Sequence, residues 1–419
     1  MRIKLRSPEF QNHIWILAAM LIATPFAQVL GLITTRLVGL ESAGMISYAV
    51  SVTNIFLVFV IFSANQIQMV DVREEFCFKE YLGFRTATAV TATVAMVIFL
   101  FVARFEWYQK AVISLYYFIF LTDAYANVFM TDFHQKGMIR IMGRMRASGF
   151  GAAVLAFFLT VVITGSVAVS LSVAGVLLLV IYVMWIWLYR EHFGAIRVRI
   201  DLSAIKRLVL AVLPILVLTF IMTYLGYAPP IYLGEFRSFE TVAIYAILIT
   251  PAALFQILLH TMLFGAPLPK TSEAYASGEL ARFSKRVHVL LLLVAVTAVP
   301  FLAVTYFIGI PLLTWLYNTD LSPYLRQLMI ISVGGLFTTA APIVGMALII
   351  MRKQKAYMYS FIAVGAVCGP LVGYLVWRFG IDGAVLSNLV VFAPLTIVVY
   401  TAFRRLLRHE LKNRSNRVK

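Results

Sequence analysis

The 419-residue chain carries 35 Lys and Arg against 18 Asp and Glu, a net charge of +17, yet only 13% of its residues are charged and 62% are hydrophobic, with a mean hydropathy of +0.92. Such a composition excludes an ordinary soluble globular domain and reads the excess of positive charge as membrane topology rather than nucleic-acid binding. Two cysteines, Cys77 and Cys368, suggest neither a disulfide framework nor a metal site, and no cofactor is expected.

The chain opens on Arg2, Lys4 and Arg6, a signal-peptide-like start. The apolar segment Ile14–Thr35 that follows is long enough to span a bilayer and has no convincing small-x-small cleavage site, so it reads as a retained first helix. Pro25 breaks it. A turn with Arg36, Gly39 and Gly44 leads to the second span, Ser42–Ser63, which carries Ser47, Ser51 and Asn54 as a polar stripe. The first half continues through Thr86–Ala103, Ala111–Met130, Ala147–Ile163 and Leu171–Tyr189. The second half is expected to span at Leu208–Leu225, Val242–Leu263, Val287–Ile310, Leu325–Ile350, Ala356–Trp377 and Ala384–Ala402. All are too long and too continuously apolar for strands. The expected fold is all-α integral membrane, about 12 helices in two six-helix halves, residues 1–206 and 207–419, related by a parallel pseudo-two-fold repeat.

Alternating the segments between the spans puts 29 Lys and Arg on the side of the N-terminus and 6 on the other. That asymmetry places both termini in the cytoplasm. The inner segment Asn65–Arg85 mixes acids and bases and is expected to form a surface helix; Thr131–Arg146 is mostly basic, with Asp132 its one acid, and Arg404–Lys419 reads as a basic helical tail. These clusters suit anionic membrane lipid, although topology alone accounts for them. Pro25, Pro214, Pro251, Pro300, Pro342, Pro370 and Pro394 lie in or beside spans and favour bent, moving helices.

Polar side chains inside spans are costly and mark function or helix pairing. Asp123 sits mid-span in the fourth segment with Asn127 one turn on and Tyr116 and Phe120 on the same face. It suits a coupling cation, sugar hydroxyls or an arginine partner. Gln256 and His260 make an i, i+4 stripe on the eighth.

The turn Arg36-Leu37-Val38-Gly39-Leu40-Glu41-Ser42-Ala43-Gly44 resembles the R-x-x-G-x-x-x-x-G turn of Wzx-type oligosaccharide flippases, in the multidrug/oligosaccharidyl-lipid/polysaccharide (MOP) exporter superfamily. The segment Gln68-Met69-Val70-Asp71-Val72-Arg73-Glu74-Glu75-Phe76 is similar to a cytoplasmic loop of one branch, and Ile350-Met351-Arg352-Lys353-Gln354-Lys355 to another of its motifs. Phe379-Gly380-Ile381-Asp382-Gly383-Ala384 extends the likeness to the last helix, whereas Pro229-Pro230 and the 265–269 stretch depart from it. The resemblance implies a MATE-like frame in the bacterial inner membrane, with both six-helix halves rocking about a hydrated groove at their interface.

The implied cargo is a polyprenyl-pyrophosphate-linked oligosaccharide, with other polysaccharide-assembly proteins as partners. A pyrophosphate calls for guanidinium forks, making Arg36 and Arg237 the first candidates, with Lys270 and Arg146 as entry contacts. The main alternative is a cation-coupled multidrug exporter on the same fold, which Asp123 keeps open. A membrane polymerase, ligase or glycosyltransferase is disfavoured: the longest outer loop has about a dozen residues, and no Gly-x-x-x-x-Gly-Lys loop or inner-face Asp-x-Asp motif is present.

Overall fold

The computed structural model describes residues 8–71, 75–194, 196, 198–264 and 267–418. Among them every regular element is helical, as a chain of lipid-soluble segments requires when hydrocarbon offers the backbone no partners. Eleven helices are long and apolar enough to cross a membrane, and a bent pair at the N-terminus makes up to 12. The chain is therefore a multi-pass membrane protein. It divides into two compact units, Met1–Thr223 and Tyr224–Lys419.

In the first unit, α1 (Pro8–Ala23) and α2 (Phe26–Leu37) form the bent pair, angled by 46° at Pro25. Then come α3 (Leu40–Ile61), the short α4 (Ala64–Val70), α5 (Phe78–Val102), α6 (Trp107–Gln135), α7 (Ile139–Thr164) and α8 (Val167–Phe193). The last helix, α9 (Leu202–Phe236), crosses the unit boundary. In the second unit lie α10 (Phe239–Phe264), α11 (Pro267–Ala276), α12 (Leu280–Val304), a π-helical turn at Thr305–Gly309, α13 (Ile310–Tyr317), α14 (Leu325–Ile350), α15 (Gln354–Phe379) and α16 (Ile381–Val418).

Four expectations change. Helix α5 begins eight residues before the expected span, which moves Arg85 from a surface loop into the buried helix. In place of one surface helix over Asn65–Arg85, the described residues form the short α4 and the start of α5; on α4 Gln66 and Met69 are exposed while buried Gln68 donates to the Val128 carbonyl. Helix α9 runs straight through Pro229-Pro230, so the long outer loop around Arg237 shrinks to Arg237 and Ser238. Proline is tolerated there because neighbouring groups satisfy the carbonyls it frees. Finally, the ninth span extends to Tyr317, the π turn absorbing an extra residue without ending the helix. Of the departing stretch near 265–269, Gly265 and Ala266 lie outside the described residues.

The core of the second unit joins α10, α12 and α14 through Phe255, Leu259, Val294 and Ile343. Helices α15 and α16 approach closely where a Cβ on Gly383 would collide with the Leu375 carbonyl. In the loop before α5, the Asp71 carboxylate accepts hydrogen bonds from the Glu75 amide at 2.9 Å, the Phe76 amide at 3.1 Å and the Tyr81 hydroxyl at 2.9 Å. Partial burial pushes its pKa up, but these three donors outweigh it and hold the group below the ordinary 3.8.

Candidate functional site

Asp123 on α6 is only 7% exposed. Its Oδ1 accepts from the Tyr182 hydroxyl of α8 at 2.9 Å, and its Oδ2 from Arg146 Nη2 of α7 at 3.3 Å. The absent side chain at Gly149 on α7 makes room for the Tyr182 ring. Pro25 contributes at a distance: the bend delivers Phe26 against Phe120 at 5.8 Å and Phe150 at 5.0 Å, and Arg146 lies over the Phe150 ring at 5.8 Å. A carboxylate in this surrounding is retained because a guanidinium and a phenol replace its lost water.

On α5 of the same unit Arg85 is fully buried, 2% exposed. Arg85 joins the two pieces of a broken helix. Phe62 and Ser63, with φ of 50° and 56°, put two consecutive non-glycine residues in the left-handed region and separate α3 from α4. The break leaves terminal carbonyls of α3 without intrahelical partners. Arg85 Nη1 donates to the Val60 carbonyl at 2.8 Å, as does Thr88 Oγ1, and Arg85 Nη2 donates to Asn65 Oδ1 of α4 at 2.8 Å. Its Nε has no partner among the described residues. The unit thus buries one guanidinium on α5, held by a carbonyl and an amide, and pairs a second with the Asp123 carboxylate.

A second pair lies toward the end of α6. Buried Asp132 accepts from Lys136 and from the Tyr189 hydroxyl, and the ammonium of Lys136 sits 3.9 Å from the Phe193 ring centroid. Rings of Phe78, Phe129 and Phe133 surround Tyr189.

The other candidates are dispersed. Asn127, half-buried one turn from Asp123, accepts from Thr131 through its backbone and side-chain oxygens. Ser47, Ser51 and Asn54 donate to carbonyls four residues back on α3, at 3.0, 2.8 and 2.8 Å, so the stripe is turned onto its own backbone. Arg36 is exposed in the last turn of α2. Arg237 is exposed and donates to the Trp377 carbonyl at 3.0 Å, capping the C-terminal end of α15. Gln256 and His260 are half-buried on α10 beside its apolar core, and Lys270 is exposed on α11.

Arg85 and Tyr182 are the members that sequence reasoning missed. For Arg85 a signal existed: Tyr81-Leu82-Gly83-Phe84 immediately before it is apolar enough to extend the helix inward. Tyr182 carried none, being one aromatic among many in an apolar span.

No protein-family model and no curated protein matches the sequence. Solved structures do share the fold. The lipid II flippase MurJ, in an inward closed conformation, aligns with a TM-score of 0.67 at 11% identity, covering 94% of this chain and 90% of that one. An inward-facing multidrug resistance MATE family transporter of the MOP superfamily gives 0.64 at 13% identity, over 96% and 98%. A MOP superfamily transporter from Pyrococcus furiosus, described by the reverse polarity of its binding pocket, gives 0.56 at 13%, over 96% and 95%. At these identities the likeness establishes a fold common to transporters and a flippase.

Proposed function

We propose that this protein is a flippase that carries a polyprenyl-pyrophosphate-linked oligosaccharide across the bacterial cytoplasmic membrane for surface polysaccharide assembly, working by alternating access with both termini in the cytoplasm. The observation that carries the reading is that the first unit buries Arg85 and half-buries Arg146 against the single carboxylate Asp123 that Arg146 pairs with. A positive interior suits an anionic headgroup and repels a cationic drug. The cation-coupled exporter needs an available acid, whereas Asp123 is already engaged by Arg146 and Tyr182. The fold shared with a structure described as a lipid II flippase is a second support.

In this scheme Arg146 meets the pyrophosphate on entry and Arg36 receives it toward the outer face, while Asn54, Asn127 and Gln256 offer hydrogen bonds to sugar hydroxyls. The polyprenyl tail stays among membrane lipids, and downstream assembly proteins receive the glycan on the outer face. The test is a proteoliposome assay with lipid-linked oligosaccharide from the native host, read by access of an external glycosidase. Flipping that is lost in Arg146→Ala, and weakened in Arg36→Ala with insertion intact, is expected. Wild-type protein that flips nothing, or efflux of cationic dyes driven by a sodium or proton gradient, overturns the reading.

A further inference from the structure

We infer that a groove between α5, α6 and α8 binds one anionic phospholipid of the surrounding membrane, with an acyl chain along the groove and the phosphate at Arg190 and Lys79. The three helices are membrane spans of the first unit. Exposed Val90, Val94 and Ile98 of α5 and Leu179 and Val183 of α8 form the walls, and buried Ala126 of α6 belongs to the floor. The groove holds about 630 Å³, within the roughly 300–1,000 Å³ of ligand pockets. Its four hydroxyls are already turned to the protein. Thr93 meets the Tyr117 hydroxyl at 3.0 Å, and Thr122 donates to the Phe118 carbonyl at 2.8 Å. Tyr125 meets Thr86 at 3.3 Å, and Tyr182 donates to Asp123 at 2.9 Å. A cavity so lined gives water too few partners, and hydrocarbon is the guest it suits.

The charges at one end select the kind of lipid. Arg190 stands eleven residues after Leu179, and Lys79 eleven before Val90. Eleven residues make about three helical turns, so both cations lie on the groove faces of their helices. The Phe78 and Tyr189 rings stack at 5.3 Å, which brings their neighbours Lys79 and Arg190 to the same end. Both cations are exposed, and neither makes an ion pair among the described residues. The acids at this end are otherwise placed. Asp132 is held by Lys136 and Tyr189, Glu80 accepts from the Cys77 amide at 2.8 Å and lies 3.8 Å from Arg207, and Glu191 is turned about 100° from Arg190 around α8. Membrane topology accounts for cations at a span end but not for their alignment with a groove. Arg190 is one residue from the end of the span Val167–Glu191, where lipid phosphates lie, and its fork suits them. From there to Leu179 is about 17 Å, the depth one chain reaches into a core about 30 Å thick. Once filled, the groove backs the Tyr182 ring whose hydroxyl fixes Asp123, which couples the interior pair to the lipid around it.

The test is native mass spectrometry of the full-length protein in detergent, titrated with dioleoyl phosphatidylglycerol, dioleoyl phosphatidylcholine or undecaprenyl phosphate. We expect one phosphatidylglycerol to bind about tenfold more tightly than phosphatidylcholine. The double variant Lys79→Gln, Arg190→Gln should bring the two affinities together. Val94→Phe and Val183→Phe set a ring in the groove from exposed positions, and each should weaken both phospholipids. Melting curves report folding of every variant, and phosphatidylglycerol should raise the melting temperature of the wild type but not of Val94→Phe. Equal affinity for the two phospholipids, or unchanged binding in both phenylalanine variants, overturns the site. Undecaprenyl phosphate bound more tightly than phosphatidylglycerol, or a dimer that Val94→Phe dissociates, assigns the groove to another occupant and overturns it as well. None of these outcomes decides whether the protein flips lipid-linked glycan, which the proteoliposome assay reads separately.

Discussion

Arg85 commits both terminal nitrogens to acceptors on either side of the α3–α4 break, so its removal takes the donor from Asn65 Oδ1 and leaves the Val60 carbonyl to Thr88 alone. An acceptor left unpaired away from water costs roughly 1–3 kcal/mol, and we expect Arg85→Ala to lose about 1–3 kcal/mol. Thermal melting in lipid–detergent micelles measures this. Arg85→Lys should recover less than half, because an ammonium lacks the fork that reaches two acceptors at once. Asp71 makes a different prediction at the same scale. Its folded pKa lies below the unfolded value, so its contribution is full above the ordinary carboxylate range and disappears as the pH falls through the lowered value. Hydrogen-exchange protection of the Glu75 and Phe76 amides should therefore fall on acidification below about pH 4. Asp71→Asn should remove that pH dependence. Protection that persists unchanged in acid would contradict the assignment.

At the scale of elements, the crossing of α15 and α16 depends on a missing side chain. Gly383→Val has no room beside the Leu375 carbonyl, and overpacking of this kind costs about 1–3 kcal/mol. Melting of the purified variant checks it, with Val385→Ala on the same helix as a control for ordinary loss of buried methyl groups. Much of this layer was legible in advance. The span Leu325–Ile350 is found with the bounds that its apolar run dictates, and the bend at Pro25 falls where the missing amide requires it. What eluded the sequence were helices that continue past their apolar limits. A charged residue is tolerated on α5 because partners distant in sequence, Val60 and Asn65 for Arg85, satisfy it. Hydropathy along one segment carries no record of those partners. The candidate site was half visible for the same reason: Asp123 announces itself as a lone acid in an apolar run, but its phenol on α8 does not.

For the whole molecule, orientation is the property that charge asymmetry assigns and that labelling can test. Cys77 is exposed and Cys368 buried, so the native thiols suffice. A membrane-impermeant maleimide should modify Cys77 in inverted vesicles and not in intact cells, and should leave Cys368 untouched until the protein is denatured. Labelling of Cys77 from outside would reverse the assigned topology. The last helix carries a mechanical consequence as well. Helix α16 runs unbroken over 38 residues, about 57 Å of rod, and beyond its final crossing Phe403 and Glu410 still touch Phe283 and Tyr275. Pro394 removes one backbone hydrogen bond within this rod, and the contacts beyond it tie the far part to α11 and α12, so a reporter fused rigidly there would turn in step with those two helices.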